Sequence, residues 1–251
     1  MLMAQETGMR WQGVTVDYPL RRLRAVQDIS LEVSGGEVLA VMGPSGCGKS
    51  TLLKTAAGLV IPTEGTVQLG GDPLSGPSRR VAMVFQEAAL FPWFTVERNV
   101  VLALPRTMPL AERASQVSRL LDTVGLSDFA HVFPRELSGG MARRAALATA
   151  LARDPVVLLL DEPFSGLDVT SRRRLARELA GIIAERALTT VLVTHSVDEV
   201  LMLADRVVVL TARPGRVRVD FPVGLPHSRR GNEPELDTLR NSLYRILETE
   251  E

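Results

Sequence analysis

A single cysteine, Cys47, is present in the 251 residues, so no internal disulfide can form and the chain suits a reducing cytoplasm. Basic and acidic residues both number 29, leaving a formal net charge of zero. Without a global basic field, nothing in the composition argues for nucleic acid as a partner. Aromatic residues make up only 4%, and there are three histidines. No apolar run approaches the ~18 residues needed to span a bilayer. The start, MLMAQETGMRW, carries no apolar signal core. The expectation is a protein neither exported nor integral to a membrane, which acts at one only through a partner. Internal repeats and low-complexity segments are also missing. What remains, 45% apolar and 23% charged, is ordinary for a globular protein. The length permits one larger domain, or a core with a sizeable insert.

One stretch organises the rest: Gly43-Pro44-Ser45-Gly46-Cys47-Gly48-Lys49-Ser50-Thr51 matches G-x-x-x-x-G-K-[ST] at every fixed position. Ahead of it, EVLAVM (Glu37 to Met42) is long enough for a buried strand. Behind it, TLLKTAAGL favours helix, with Gly58 as a stop. Strand, glycine-rich loop and helix N-terminus together make an anion site, because successive N–H groups converge and the helix dipole adds positive potential. Glycines 43, 46 and 48 let the backbone wrap a phosphate without side-chain clashes. Lys49 would reach the β- and γ-phosphates of a nucleotide, and the Ser50 hydroxyl would ligate Mg²⁺. Cys47 reads first as a small filler, and second as a thiol whose pKa the helix N-terminus and Lys49 lower.

Residues 11 to 36 read as β structure. VTVDY alternates, and Ile29, Leu31 and Val33 share a strand face before the turn at Gly35-Gly36. GTVQL and VAMVF continue this β-rich part. From Thr95 to Arg153 the texture is helical, with Leu110, Ala114, Val117, Leu120, Leu121 and Val124 forming one stripe that Gly125 ends. β texture returns at VVLLL, TTVLV and RVVVL, with helix over Ser171 to Arg186. RVRVDF reads as an edge strand and PVGLP as a connector. Leu236, Leu239, Leu243, Ile246 and Leu247 then form a helical stripe behind Pro234, read as packing on the core. Alternating strands and helices favour a largely parallel sheet with helices on both faces. VVLLLDEP sets Asp161 and Glu162 at the end of an apolar strand, where α/β sheets present their ligand crevice. There Asp161 can support Mg²⁺ and Glu162 can polarise a water that attacks the γ-phosphate. By itself such a pair is equally a capped strand end.

LSGGM (Leu137 to Met141), placed before a helix and ahead of Asp161, resembles the signature of ABC-transporter ATPases, normally LSGGQ. Ser138 and the N–H groups of Gly139 and Gly140 would form a second helix-terminal anion site. The resemblance covers about Val14 to Val219. It implies a P-loop core with a mostly parallel sheet, an N-terminal antiparallel β subdomain and an inserted helical subdomain. The boundaries expected are 1–87 and 154–221 for the core with its β subdomain, 88–153 for the helical part, and 222–251 for a connector and helix. In the family, Ser138 would face the γ-phosphate held by the opposite subunit, so two Mg·ATP lie between head-to-tail dimerised domains. Met141 stands where glutamine is usual; the resemblance leaves retained ATPase with altered coupling as the expectation. Gln86 resembles the Q-loop glutamine that touches Mg²⁺ and the attacking water. Asp168, in SGLD, resembles the D-loop aspartate that crosses the dimer interface, and His195 the H-loop histidine on the γ-phosphate. Tyr18 resembles the aromatic that stacks on adenine, with Val26 helping. Alone, Gln86 is a solvated glutamine after a strand, SGLD an ordinary turn, and His195 a hydrogen-bonded structural histidine.

The segment AALFPWF (88 to 94) displays aromatic residues beside Gln86; core packing explains some of them, while the resemblance implies that Phe91, Pro92 and Trp93 contact a membrane subunit. FQEAALFPW, LLLDEPFSGLD and ARPGRV resemble the ATPases of nitrate, sulfonate and taurine importers. This implies an ATP-hydrolysing importer subunit on the cytoplasmic face of a membrane. Its implied partners are a second ATPase copy, permease subunits and a secreted or periplasmic solute-binding protein. Two other readings stay open: an ABC-type clamp on DNA or ribosomes, and a nucleotide sensor that does not hydrolyse.

Overall fold

The computed structural model describes residues 7–224 and 234–248. Two sheets organise them. The first is antiparallel, in the order β2 (Leu23–Val33), β1 (Met9–Tyr18), β4 (Glu64–Leu69), β5 (Asp72–Pro73). A register shift between Gln12 and Thr15 turns Val14, Thr15 and Val16 all inward, so VTVDY does not alternate as its pattern suggests. Ile29, Leu31 and Val33 do share a buried face.

The second sheet runs β10 (Val217–Pro222), β9 (Arg206–Leu210), β3 (Val38–Met42), β8 (Thr189–Val193), β7 (Val157–Asp161), β6 (Val81–Val84). The five strands from β9 to β6 are parallel, while β10 joins antiparallel at the edge, where its alternating sequence belongs. Parallel strands are covered on both faces, so their sequences must be apolar throughout. β3 shows how the pleat divides them. Leu39 and Val41 pack with Trp11, Val67 and the helix α1 (Lys49–Ala56), whereas Ala40 and Met42 pack on the opposite face.

Between β6 and β7 in the chain come α2 (Val96–Ala103), α3 (Leu110–Thr123) and α4 (Gly139–Ala152). Thr95 caps α2 by accepting a hydrogen bond from the Arg98 N–H. In α3 the expected stripe is shorter than its periodicity suggests. Val117, Leu120, Leu121 and Val124 are buried, but Leu110 is 80% exposed and Ala114 faces solvent. The first turn of α3 has nothing to pack on, so its apolar residues stay outside. Gly125, at φ 64°, ends the helix as expected.

After β7 follow α5 (Val169–Arg186), β8, α6 (Val197–Leu203), β9, β10 and α7 (Pro234–Glu248). Leu243 of α7 is fully buried against α6 and the β9–β10 edge, joined by Leu239, Ile246 and Leu247. Arg240 adds an ion pair to Asp198 at 3.3 Å. The helix packs on the core, as its stripe implies; Leu225 and Pro226 of the connector and the Leu236 side chain lie outside the described residues. No described helix is long and apolar enough to cross a membrane.

Candidate functional site: a nucleotide cavity and a separate serine-glycine turn

The loop 43–48 leaves β3 at its C-terminal end and turns into α1 through Gly48, whose φ is 105°. A Cβ on Gly48 would lie 2.6 Å from the Ala25 carbonyl oxygen, so no other residue fits there. Lys49 is 9% exposed, and its ammonium donates to the carbonyls of Gly43 (2.7 Å) and Pro44 (2.8 Å). Those bonds curl the loop around the lysine head. Cys47 is buried with its sulfur 3.8 Å from that ammonium, which fits a filler better than an accessible thiol. Above the loop opens a cavity of about 680 Å³, lined among others by Tyr18, Ser45, Gly46, Lys49, Ser50, Thr51, Gln86 and Glu162. It is large enough for a nucleotide and is built at the strand ends of a parallel sheet, where such ligands bind.

Asp161 ends β7 almost fully buried and accepts the Ser50 hydroxyl at 3.0 Å. Burial pushes its carboxyl up from the ordinary carboxylate range, and the Ser50 hydrogen bond pulls it part of the way back. The next residue, Glu162, sits at φ 48°, a left-handed conformation that costs a non-glycine residue on the order of 1–3 kcal/mol. Its backbone N–H is tied to the Val193 carbonyl. The strained turn aims the carboxylate sideways: Gln86 Nε2 donates to one oxygen at 3.3 Å, and His195 Nδ1 lies 3.5 Å from the other. His195 itself stands two residues beyond the end of β8, in the following loop, and is largely exposed. Gln86, Glu162 and His195 thus meet from three separate segments.

Ser138 caps α4, its hydroxyl accepting from the Met141 N–H at 3.3 Å. A Cβ on Gly140 would fall 2.3 Å from Leu167 Cδ2, while Gly139 has open space. Met141 is half-buried against the helical core, so its apolar side chain is used in packing. These residues line a second cavity of about 260 Å³ together with Leu167 and Asp168. Asp168 caps α5 by accepting from Ser171 N at 3.0 Å, and the Ser171 side chain together with that backbone bond holds its carboxyl below the ordinary range. No residue lines both cavities. Within one chain the serine-glycine turn and the phosphate loop do not meet.

Tyr18 lines the nucleotide cavity, its hydroxyl 3.4 Å from Thr51 Oγ1. Val26 does not. It is buried beneath the loop, against the backbone at Gly48 and Gly215, and Leu23 and Ala25 line the cavity instead. The strand face toward the cavity is therefore the one before Val26. Lys54 and Arg213 also line it, and neither is evident from sequence. Arg213 Nε donates to the Gly46 carbonyl at 2.9 Å. Its only local signal is the Arg-Pro-Gly run at 213–215, which folds back onto the loop from far along the chain.

The family model for ABC transporters matches residues 26–165. The chain belongs to the ABC transporter family. This ABC ATPase is 46% identical over 226 residues to the aliphatic sulfonates import ATP-binding protein SsuB of Bacillus licheniformis, covering 90% of the chain and 88% of the relative. It is 40% identical over 243 residues to the taurine import ATP-binding protein TauB of a Jannaschia species, with 94% and 89% covered. Its fold superposes on the dimeric structure of MJ0796, a bacterial ABC transporter cassette, with a TM-score of 0.78 at 30% identity. That match covers 85% of this chain and 98% of the other. A post-hydrolysis state of the same cassette with ADP and Pi gives 0.77. The ABC ATPase expected from the motifs, a nucleotide-binding hydrolase of a transporter, is what the chain is.

Proposed function

We propose that this chain is the ATPase subunit of an importer of small organic sulfonate-type solutes, as its named relatives are. It works as a head-to-tail pair on the cytoplasmic face of a membrane. The observation that carries the reading is the convergence of Gln86, Glu162 and His195: the first two line the cavity above the phosphate loop, and His195 lies 3.5 Å from Glu162. Tyr18 receives the adenine, with Leu23 and Ala25 beside it. The N–H groups of residues 45–51 and the Lys49 ammonium hold the phosphates, once Lys49 leaves its two carbonyls for them. Ser138 and the glycines 139 and 140 of the second copy close on the γ-phosphate, and Asp168 lies at that seam.

Ser50 and Gln86 line the cavity, and Asp161 stands directly behind Ser50; their oxygens are hard donors, a set that suits Mg²⁺ carried in on phosphates. When bound there, Mg²⁺ neutralises phosphate charge in the reaction. Glu162 accepts the proton of the attacking water, held in place by Gln86 and His195, and His195 then contacts the γ-phosphate. ATP closes the pair and hydrolysis reopens it, which drives the permease between its two states.

The permease docks where Phe91 (49% exposed) and Trp93 (66% exposed) stand clear of the core with ring centroids 5.7 Å apart. Asn99, buried, fixes the Phe91 backbone through two hydrogen bonds. A solute-binding protein on the far side of the membrane reads the solute, which this chain does not touch. Residues 1–87 with 154–221, 88–153 and 222–251 serve as core, helical subdomain and tail. Two assays of the protein test the proposal together: MgATP turnover, and co-purification with a polytopic membrane protein. Turnover without any membrane partner, in cells that import the solute normally when the gene is deleted, would contradict it.

A further inference from the structure

Below the serine-glycine turn, a chain of polar contacts runs from the part-buried Arg172 to the buried Glu199 and Thr194 and on toward His195. Gly140 packs directly on Leu167. The Leu167 carbonyl accepts from Arg172 at 3.2 Å, one turn into α5. The same guanidinium faces Glu199 on α6, with Nε 3.8 Å from Oε1. That Nε is sealed from solvent and has no hydrogen-bond partner among the described residues. Glu199 is 5% exposed, and its other oxygen accepts the Thr194 hydroxyl. The Thr194 hydroxyl oxygen in turn accepts the Ser196 N–H at 3.0 Å, so both neighbours of His195 are pinned. Ser196 Oγ closes the ring by accepting from Glu199 N at 3.4 Å.

A buried carboxylate needs a reason to be there. Burial pushes Glu199 up from the ordinary range, with Thr194 and Arg172 drawing it back, so the site tolerates the charge only because these partners face it. Helix capping by Ser196 would survive without the carboxylate. The pair at 3.8 Å is within ionic attraction but beyond a hydrogen bond. It can therefore shorten or lengthen when either end moves.

We propose that Arg172 and Glu199 are positioning residues that link the Ser138–Gly140 and Asp168 turns to the loop bearing His195. The link rests on the roles given above to those turns. In a head-to-tail pair, the serine-glycine turn meets the nucleotide of one site while His195 of the same chain serves the other. Arg172 and Glu199 then carry the state of one site to the other through a single chain, across an unbroken run of packed and charged contacts. The ion pair contributes no atom to the nucleotide cavity.

The experiment compares steady-state MgATP hydrolysis by the full-length protein with Glu199→Gln, Arg172→Lys and their double variant. His195→Ala serves as a control. The amide keeps the Thr194 hydrogen bond and the volume, and the lysine keeps the charge but cannot span Leu167 and Glu199 together. Each single variant is expected to lower kcat about tenfold, with KM for ATP within about twofold of the parent and the Hill coefficient falling toward one. The double variant is expected to be no worse than either single, because the two act as a unit. A parent-like kcat and Hill coefficient in both singles overturns the link. So do losses that multiply in the double, or a rise in KM that tracks a lowered melting temperature. If Glu199→Gln does not fold, Arg172→Lys decides alone. Normal turnover by His195→Ala would remove the underlying site assignment as well, whereas loss there with normal Glu199→Gln and Arg172→Lys would remove only the link.

Discussion

Ser50 gives its hydroxyl hydrogen to Asp161 across 3.0 Å, joining positions 111 apart in the chain. The contact fastens the first turn of α1, which lines the cavity, to the end of β7. It has a cost. Burial raises the Asp161 pKa above its unfolded value, so folding takes up a proton and stability falls as pH rises past that unfolded pKa.

Asp161→Asn removes the charge and keeps an acceptor for Ser50. Without nucleotide its melting temperature at pH 7 is expected to exceed the parent's by about 2–4 °C. The gain should shrink as pH falls to where Asp161 is itself protonated. MgATP hydrolysis should drop at least about 100-fold. A variant less stable than the parent at pH 7 would contradict the cause assigned to the shift.

Glu162→Gln keeps the size of the side chain and a partner for Gln86, but cannot take a proton from water. ATP affinity is expected to stay near the parent's, while hydrolysis falls by about 10² or more. The protein should accumulate as an ATP-bound dimer in size-exclusion chromatography with MgATP. Unchanged phosphate release would remove Glu162 from the reaction.

Lys49→Ala deletes the ammonium that Gly43 and Pro44 hold in the loop. Nucleotide affinity, read by titration with a fluorescent ATP analogue, should weaken about tenfold or more, and turnover should fall with it. Equal affinity would mean that the loop amides alone hold the phosphates.

Trp93→Ala should leave soluble MgATP turnover within about twofold of the parent and abolish solute uptake in vesicles containing the permease. The ring is mostly exposed, and its contacts are with Phe91 and Phe94 only among the aromatic residues described. Loss of soluble turnover as well would mean that it is part of the core.

The phosphate loop was fully legible from sequence because strand, turn and helix are consecutive, so local pattern and tertiary position coincide. The edge position of β10 followed from its alternation in the same way. Leu110 and Ala114 misled, since periodicity identifies an apolar stripe but not how far the partner surface extends. Val26 misled because a register shift in β1 and the close approach of Gly48 decide which residues of β2 see the cavity. Arg213 and Glu199 left almost no signal: one reaches Gly46 across 167 positions, and the other reads as one more acid on a short helix. Their placement depends on sheet order, which pairwise spacing does not encode.

The central claim is that two anion cradles, one at 43–51 and one at 138–140, lie on opposite sides of a shared nucleotide although they line separate cavities in one chain. A structure of the Glu162→Gln dimer with MgATP tests this directly. Ser138 Oγ and the Gly140 N–H of one copy are expected within hydrogen-bond distance of the γ-phosphate bound by the other. A dimer in which that turn faces solvent, away from both nucleotides, would contradict it.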